Sequence, residues 1–276
     1  MTRFVFNPMG TTVLITGASS GLGAAFAREF ASRGADLVLV ARRLERLEAL
    51  AVDLAERFGT VSTVIPLDLT APDAVNTLVA DLRQRDIQVA TLVNNAGFGS
   101  YGRFGALEQQ RLHNEVQLNV LALTQLTRAL WPELLRHART APATGALINV
   151  ASTAAFQPVP FMSVYAATKA YVLSFSEGLW SEAKGTGLKV LALCPGPTAT
   201  EFKQVAGSEG VSFGAPQSAA DVIETAFRAL DRRSTPPRVV SGLGNAFSAR
   251  AVRLVPQRSL LTTLGRVTNP GRRAAR

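Results

Sequence analysis

Soft metal ligands are nearly missing from this 276-residue chain, which has one cysteine, Cys194, and two histidines, His113 and His137. A lone thiol supports neither a disulfide framework nor a Cys-x-x-Cys metal cluster. Cys194 sits inside the apolar run LKVLALCPG and reads as a buried, inert strand thiol. The histidines stand far apart in sequence, which argues against a zinc site or a serine-hydrolase triad, and no metal is expected. Apolar runs of the roughly 20 residues that span a bilayer are also missing. The opening MTRFVFNPMG lacks the continuous apolar stretch of a signal peptide, so a cytoplasmic protein is expected.

Acidic residues are absent from 232–276, where ten arginines stand, whereas residues 1–231 carry 19 Lys+Arg against 20 Asp+Glu. The net charge of +9 therefore belongs to the tail, and the nearly neutral body gives no reason to expect nucleic acid. Two readings of residues 241–276 stay open. In one, they form a basic helical extension packed on the domain 1–240, beside its lid or at a subunit contact, with the arginines solvated. In the other, their arginine face makes peripheral contact with an anionic membrane. The run RVVSG reads as a last strand. Gly242 to Val267 reads as two short helices divided by Pro256, with Phe247, Val252, Leu254 and Val255 available for burial. The terminal TNPGRRAAR is expected to fray.

With 47% apolar residues the chain can bury one large core. Short Val/Ile/Leu-rich runs recur along it: TVLIT, DLVLVAR, VSTVIPLD, ATLVNNAG, GALINVAS and LKVLALCPG. Near-continuous rather than alternating apolar runs belong to strands covered on both faces. They alternate with helical stretches, among them LGAAFAREFASRG closed by Gly34 and a charged helix from Leu44 to Phe58. Thr70 and Asp73, with Pro72 in the first turn, suggest a capping box. The fold predicted is a single doubly wound α/β domain, a Rossmann-type parallel sheet with helices on both faces, whose ligand site lies outside the carboxyl ends of the strands.

The unusual residues fall at those ends. Gly17, Gly21 and Gly23 stand between the first strand and helix, where missing Cβ atoms let a pyrophosphate approach backbone N–H groups. The second strand ends in Ala41-Arg42-Arg43 with no acid; an acid there would hold a ribose 2′-OH, whereas arginine suits a 2′-phosphate and points to NADP(H). Tyr165 and Lys169 are four residues apart in a helical stretch and share one face. A cation beside a phenol favours phenolate and brings proton exchange toward neutral pH. Asn119 falls on an apolar stripe with Leu112, Val116, Leu123, Leu126 and Leu130, and a buried amide needs partners.

Taken together, Thr16-Gly17-Ala18-Ser19-Ser20-Gly21-Leu22-Gly23, Asn94-Asn95-Ala96-Gly97, Asn119, Ser152, Tyr165 with Lys169, and Pro195-Gly196-Pro197-Thr198 resemble the short-chain dehydrogenase/reductase family over roughly residues 11 to 200. The resemblance implies catalytic roles for Ser152, Tyr165, Lys169 and Asn119. Tyr165 would exchange the proton, Lys169 would hold the nicotinamide ribose and lower the Tyr165 pKa, and Ser152 would share charge on the substrate oxygen. Asn119 would meet Lys169 through an ordered water. The implied NADP(H) contacts are Gly17, Ser19, Ser20, Gly21, Leu22, Gly23, Arg42, Arg43, Asp68 and Leu69 beside adenine, Asn94, Ala96, Gly97, Tyr165, Lys169, Pro195, Gly196 and Thr198. A homodimer or homotetramer is implied as well.

Phe98, Tyr101, Phe156, Pro158, Val159, Pro160, Phe161 and Met162 suggest an apolar pocket, and residues 199–215 a mobile lid. The expected activity is interconversion of a carbonyl and an alcohol on an apolar ketone, aldehyde or secondary alcohol. The competing class is a nucleotide-binding regulatory or interaction protein whose basic tail meets an anionic surface.

Overall fold

The computed structural model describes residues 6–208, 215–252 and 254–270. Seven strands form one sheet: β1 (Thr12–Thr16), β2 (Asp36–Ala41), β3 (Ser62–Pro66), β4 (Val89–Asn94), β5 (Ala146–Val150), β6 (Lys189–Cys194) and β7 (Arg238–Val240). All pair in parallel, in the order β3-β2-β1-β4-β5-β6-β7. Chain direction across the sheet reverses between β1 and β4, which opens a crevice at their carboxyl ends. The Thr16 hydroxyl braces it by accepting the Asn95 and Ala96 N–H groups, each at 3.0 Å.

Helices cover both faces, so the central strands β1, β4, β5 and β6 are almost wholly buried, whereas the edge strands β3 and β7 are largely half-buried. On one face α1 (Gly21–Ser32) and α8 (Ala219–Leu230) meet through Phe26, Phe30 and Phe227, joined by Phe6. The Phe30 and Phe227 ring centroids are 4.9 Å apart, and the Arg33 guanidinium lies 4.2 Å over the Phe227 ring. Arg33 also grips Asp231 with two hydrogen bonds, at 3.0 and 3.3 Å. Each fully buried phenylalanine contributes roughly 1.5–3 kcal/mol. The other face packs α3 (Ala74–Gln84), α5 (Leu123–Thr140) and part of α6 (Ser163–Glu182) on the sheet. The charged helix α2 spans Leu44–Phe58, as its periodicity predicts, burying Leu47, Leu50 and Leu54; it stops at Gly59, left-handed at φ 68°, whose N–H bonds the Ala55 carbonyl. Gly34 follows α1 in the same left-handed region.

Two local expectations need correcting. The Thr70–Asp73 capping box does not form, because Asp68 Oδ1 accepts both the Thr70 N–H and hydroxyl, and α3 begins only at Ala74 with no side-chain cap. A reciprocal box does form at Ser218 and Asp221, opening α8. In the tail, α9 (Leu243–Ala251) and α10 (Gln257–Thr268) flank Pro256 as expected. Phe247 is instead 74% exposed, because α9 turns Ala249 and the side of Asn245 toward the domain, and Leu254 and Val255, in the turn between α9 and α10, are exposed too. The expected fray of the terminus concerns mainly residues 271–276, outside the described residues, as are 209–214 of the expected lid.

Among the described residues, no helix is long and apolar enough to cross a membrane.

Candidate active site

A continuous cavity of about 850 Å³ runs along the carboxyl ends of the strands. One end is the glycine loop. Gly17 is left-handed at φ 67°, and a Cβ there would meet the Ala96 backbone at 2.9 Å. A Cβ on Gly23 would lie 2.2 Å from the Gly17 carbonyl oxygen, so Gly23 shapes the loop from behind while Ser19, Ser20, Gly21 and Leu22 line the cavity. No acid occupies the first turn of α1, leaving its N–H groups and helix dipole open to an anion.

The two arginines after β2 differ in station. Arg43 donates to Ser19 Oγ (3.0 Å) and Ser20 Oγ (2.8 Å) and pairs with Glu201 at 2.9 Å. Arg42 is more extended, with Asp68 as a distant partner at 3.9 Å. Arg46 also binds Glu201, and the two guanidiniums pull that carboxyl down to about 2. Glu201 immediately precedes α7 (Phe202–Ala206), so this cluster fastens the start of α7 to the glycine loop. Asp68 and Leu69 line the cavity below Arg42.

The other end holds the polar chemistry. Ser152 follows β5, and its hydroxyl accepts the Ala154 N–H at 3.1 Å and faces Tyr165. Tyr165 and Lys169 sit one turn apart on α6, both buried, with Lys169 Nζ 5.8 Å from the Tyr165 ring centroid. Lys169 Nζ donates to the Val150 carbonyl at 2.8 Å. Burial pushes the Tyr165 phenol up to about 12, partly offset by the Ser152 hydroxyl, and Lys169 down to about 8. In this structure desolvation therefore outweighs any lowering of the Tyr165 pKa by Lys169. The loop after β4 presses on both groups: a Cβ on Gly97 would meet Lys169 Nζ at 3.4 Å, and one on Gly99 would meet the Tyr165 ring at 3.0 Å.

Asn119 lies just behind this wall, in a π-helical turn, Gln117–Ala122, that widens the helix between α4 (Gln109–Val116) and α5. The helix α5 accommodates Pro132 within its length. The Asn119 amide is fully engaged by protein: Oδ1 accepts the Phe98 N–H at 3.1 Å, and Nδ2 donates to the Phe98 carbonyl at 2.8 Å and Thr168 Oγ1 at 3.1 Å. The side chain thus pins the 97–99 loop to α6.

Asn94 does not line the cavity. Its side chain points into the core and donates to Thr127 and to Asn149, each at 2.9 Å; Asn95, Ala96 and Gly97 take the wall position, since successive strand residues face opposite ways. Pro195, Gly196 and Thr198 line the wall after β6, with Thr198 Oγ1 on the Gly196 carbonyl at 3.0 Å. Of the apolar residues expected around substrate, Phe98, Val159 and Met162 face the cavity. Pro160 and Phe161 line a separate shallow pocket, Phe156 packs behind β5 and β6, and the Tyr101 hydroxyl bonds the Thr268 carbonyl at 2.7 Å.

Several cavity residues escaped the sequence reading: Phe202, whose ring lies 5.1 Å from that of Tyr165, Arg111, Asn245 and Val267. Asn245 comes from the tail and abuts Gly196, where a Cβ would meet its amide at 2.2 Å. No motif spacing marks these positions, because each enters from an element distant in sequence. Among the described residues, no group of His, Cys, Asp and Glu could hold a metal ion.

The short chain dehydrogenase family model matches residues 11–209. Sulfoacetaldehyde reductase of Chromohalobacter salexigens is 38% identical over 223 residues, covering 80% of this chain and 83% of that protein. The solved short-chain dehydrogenase from Sphingobium yanoikuyae, in complex with NADPH, superimposes with a TM-score of 0.78 at 36% identity, covering 92% of this chain and 95% of that one. The bulky-bulky ketone specific alcohol dehydrogenase from Comamonas testosteroni gives 0.72 at 30% identity, covering 90% and 95%. The chain therefore belongs to the short-chain dehydrogenase/reductase family, oxidoreductases that act on carbonyl and alcohol substrates.

Proposed function

We propose that this oxidoreductase uses NADP(H) to interconvert an apolar ketone or aldehyde and its alcohol, with Tyr165 as general acid and base. The observation that carries this reading is the single cavity joining Arg42, Arg43, Ser19 and Ser20 at one end to Ser152, Tyr165 and Lys169 at the other. The glycine positions fit a pyrophosphate, since side chains at Gly17 or Gly23 would fill or deform the cradle. The NADPH held by the Sphingobium protein supports the cofactor choice. When bound, NADP(H) supplies or accepts the hydride.

The chain's own groups then divide the remaining work. Ser152 donates to the substrate oxygen and stabilises the charge that grows there. Tyr165 gives that oxygen a proton in reduction and removes it in oxidation. Lys169, held by Val150, keeps a positive charge near the phenol and offers its remaining N–H donors to the ribose. Asn119 keeps the 97–99 loop against both residues. The intact set counts against a purely regulatory nucleotide binder, which has no use for a proton donor.

Phe98, Val159, Met162, Phe202, Val205 and Val267 give the substrate end an apolar face, although Arg111 and Lys203 also line the cavity. Purified protein should oxidise NADPH with bulky apolar ketones and turn over a short sulfonated aldehyde poorly. The absorbance loss of NADPH across such a panel checks this; preference for the sulfonate would overturn the apolar assignment. Gly23→Ala should lower kcat/KM by about 10²-fold by displacing the glycine loop, with NADPH affinity measured alongside; unchanged affinity would mean the loop does not cradle the cofactor.

The domain reading is a catalytic unit through Val240 with a basic extension packed upon it. Contact of Tyr101 with Thr268, and Val267 at the cavity, support an extension that helps wall the substrate site. The exposed Leu243, Phe247 and Leu254 are suited to a homo-oligomer contact.

A further inference from the structure

Glu115 is a buried ionisable group that the mechanism above leaves unused. It lies on α4, one helical turn before Asn119, and is 0% exposed. Neither carboxylate oxygen has a hydrogen-bond partner of good geometry, although the Ser100 hydroxyl is close enough to favour the anion. A buried carboxylate without partners is strongly disfavoured, and buried orphans of this kind call for a functional explanation. Its charged and titratable surroundings come from three directions. Arg111 faces it from its own helix, Ser100 from the loop after β4, and Lys169 and Tyr165 from α6. Arg111 is itself tied to the Gly99 carbonyl and Ser100 Oγ, each at 3.0 Å, and to the Val205 carbonyl of the lid, so it is not free to close on the carboxylate as a salt bridge.

We propose that Glu115 is a positioning residue that sets the protonation of the Tyr165–Lys169 pair from behind the active-site wall. The proposal rests on Tyr165 as the proton-exchanging group. As an anion, Glu115 holds Lys169 in its ammonium form and disfavours the Tyr165 phenolate, both by charge. As a neutral acid it releases both. Burial pushes the Glu115 carboxyl up to about 7, so the two states exchange around neutral pH. Above that pH the anion makes Tyr165 a weaker acid; below it the neutral carboxyl makes the phenolate, which the oxidative direction requires, easier to reach.

Glu115→Gln removes the charge while keeping the shape. The Tyr165 ionisation midpoint should then fall by about one pH unit, read from phenolate absorbance as the difference between each protein and its Tyr165→Phe counterpart. The chain has three tyrosines, which makes the subtraction practical. The rise of the oxidative rate with pH should shift acid-ward by the same amount, and Glu115→Asp, which retains a charge, should restore the midpoint. An unchanged midpoint in Glu115→Gln, with only a uniform loss of kcat, would overturn the proposal and leave Glu115 structural. Should that variant fail to fold, infrared spectra of the wild type decide: a neutral-carboxyl band that disappears through about pH 7 is required, and its absence refutes the proposal. Because the absorbance titration needs no turnover, a failure here is distinguishable from failure of Tyr165 as acid and base, which retained activity in Tyr165→Phe would reveal.

Discussion

Tyr165→Phe should lower kcat by about 10³-fold or more, the range lost with a general acid or base, while NADPH binding stays intact. The substitution removes one hydroxyl and nothing else. The ring remains packed near Phe202 and against the loop at Gly99, so the cavity keeps its shape. Removing a buried hydroxyl leaves no large polar group stranded, since the facing Ser152 hydroxyl already has the Ala154 N–H. Steady-state rates in both directions, with cofactor fluorescence titration as the control, check the prediction. Activity near the wild-type level would mean that another group carries the proton. Lys169→Ala should differ in kind: it removes the donor near the ribose as well as a charge, so affinity and turnover should fall together.

Arg42→Asp should weaken NADPH by about 10- to 100-fold, the scale of one or two charge-assisted hydrogen bonds lost and a repulsion added, and leave NADH little changed. Arg42 is the cleaner position to test because its side chain is 74% exposed and has only a long contact to Asp68. Arg43 has more than one duty: it binds Ser19, Ser20 and the Glu201 carboxylate beside the lid. A 2′-phosphate would therefore compete with Glu201 for the same guanidinium, and Arg43 variants should alter lid behaviour as well as cofactor choice. Dissociation constants for the two cofactors, measured in parallel at fixed ionic strength, provide the test. Equal loss for both would remove the reason for assigning NADP(H).

The six apolar runs became β1 to β6 because strands covered on both faces need unbroken apolar character, a local property of composition. Tyr165 and Lys169 share a helix face by spacing alone. The tail was harder to read. Phe247 is apolar and so available for burial, yet hydrophobicity by itself does not say which side of a helix meets the domain, and α9 packs through Ala249 and Asn245. Likewise Asn94 and Asn95 are adjacent in one motif, and only the pleat of β4 decides that Asn94 enters the core network with Asn149 while Asn95 reaches the cavity.

The sheet, the glycine loop, the arginine pair and the order of the polar groups along the chain are legible in the sequence, because each follows from local periodicity or from short-range stereochemistry. Tertiary structure alone decided what surrounds them: Glu115 behind the wall, Glu201 between Arg43 and Arg46, and Asn245 against Gly196. Those neighbours come from elements far apart in sequence. Their effect is through desolvation and charge, quantities that depend on three-dimensional distance and burial and leave no periodic trace in the chain.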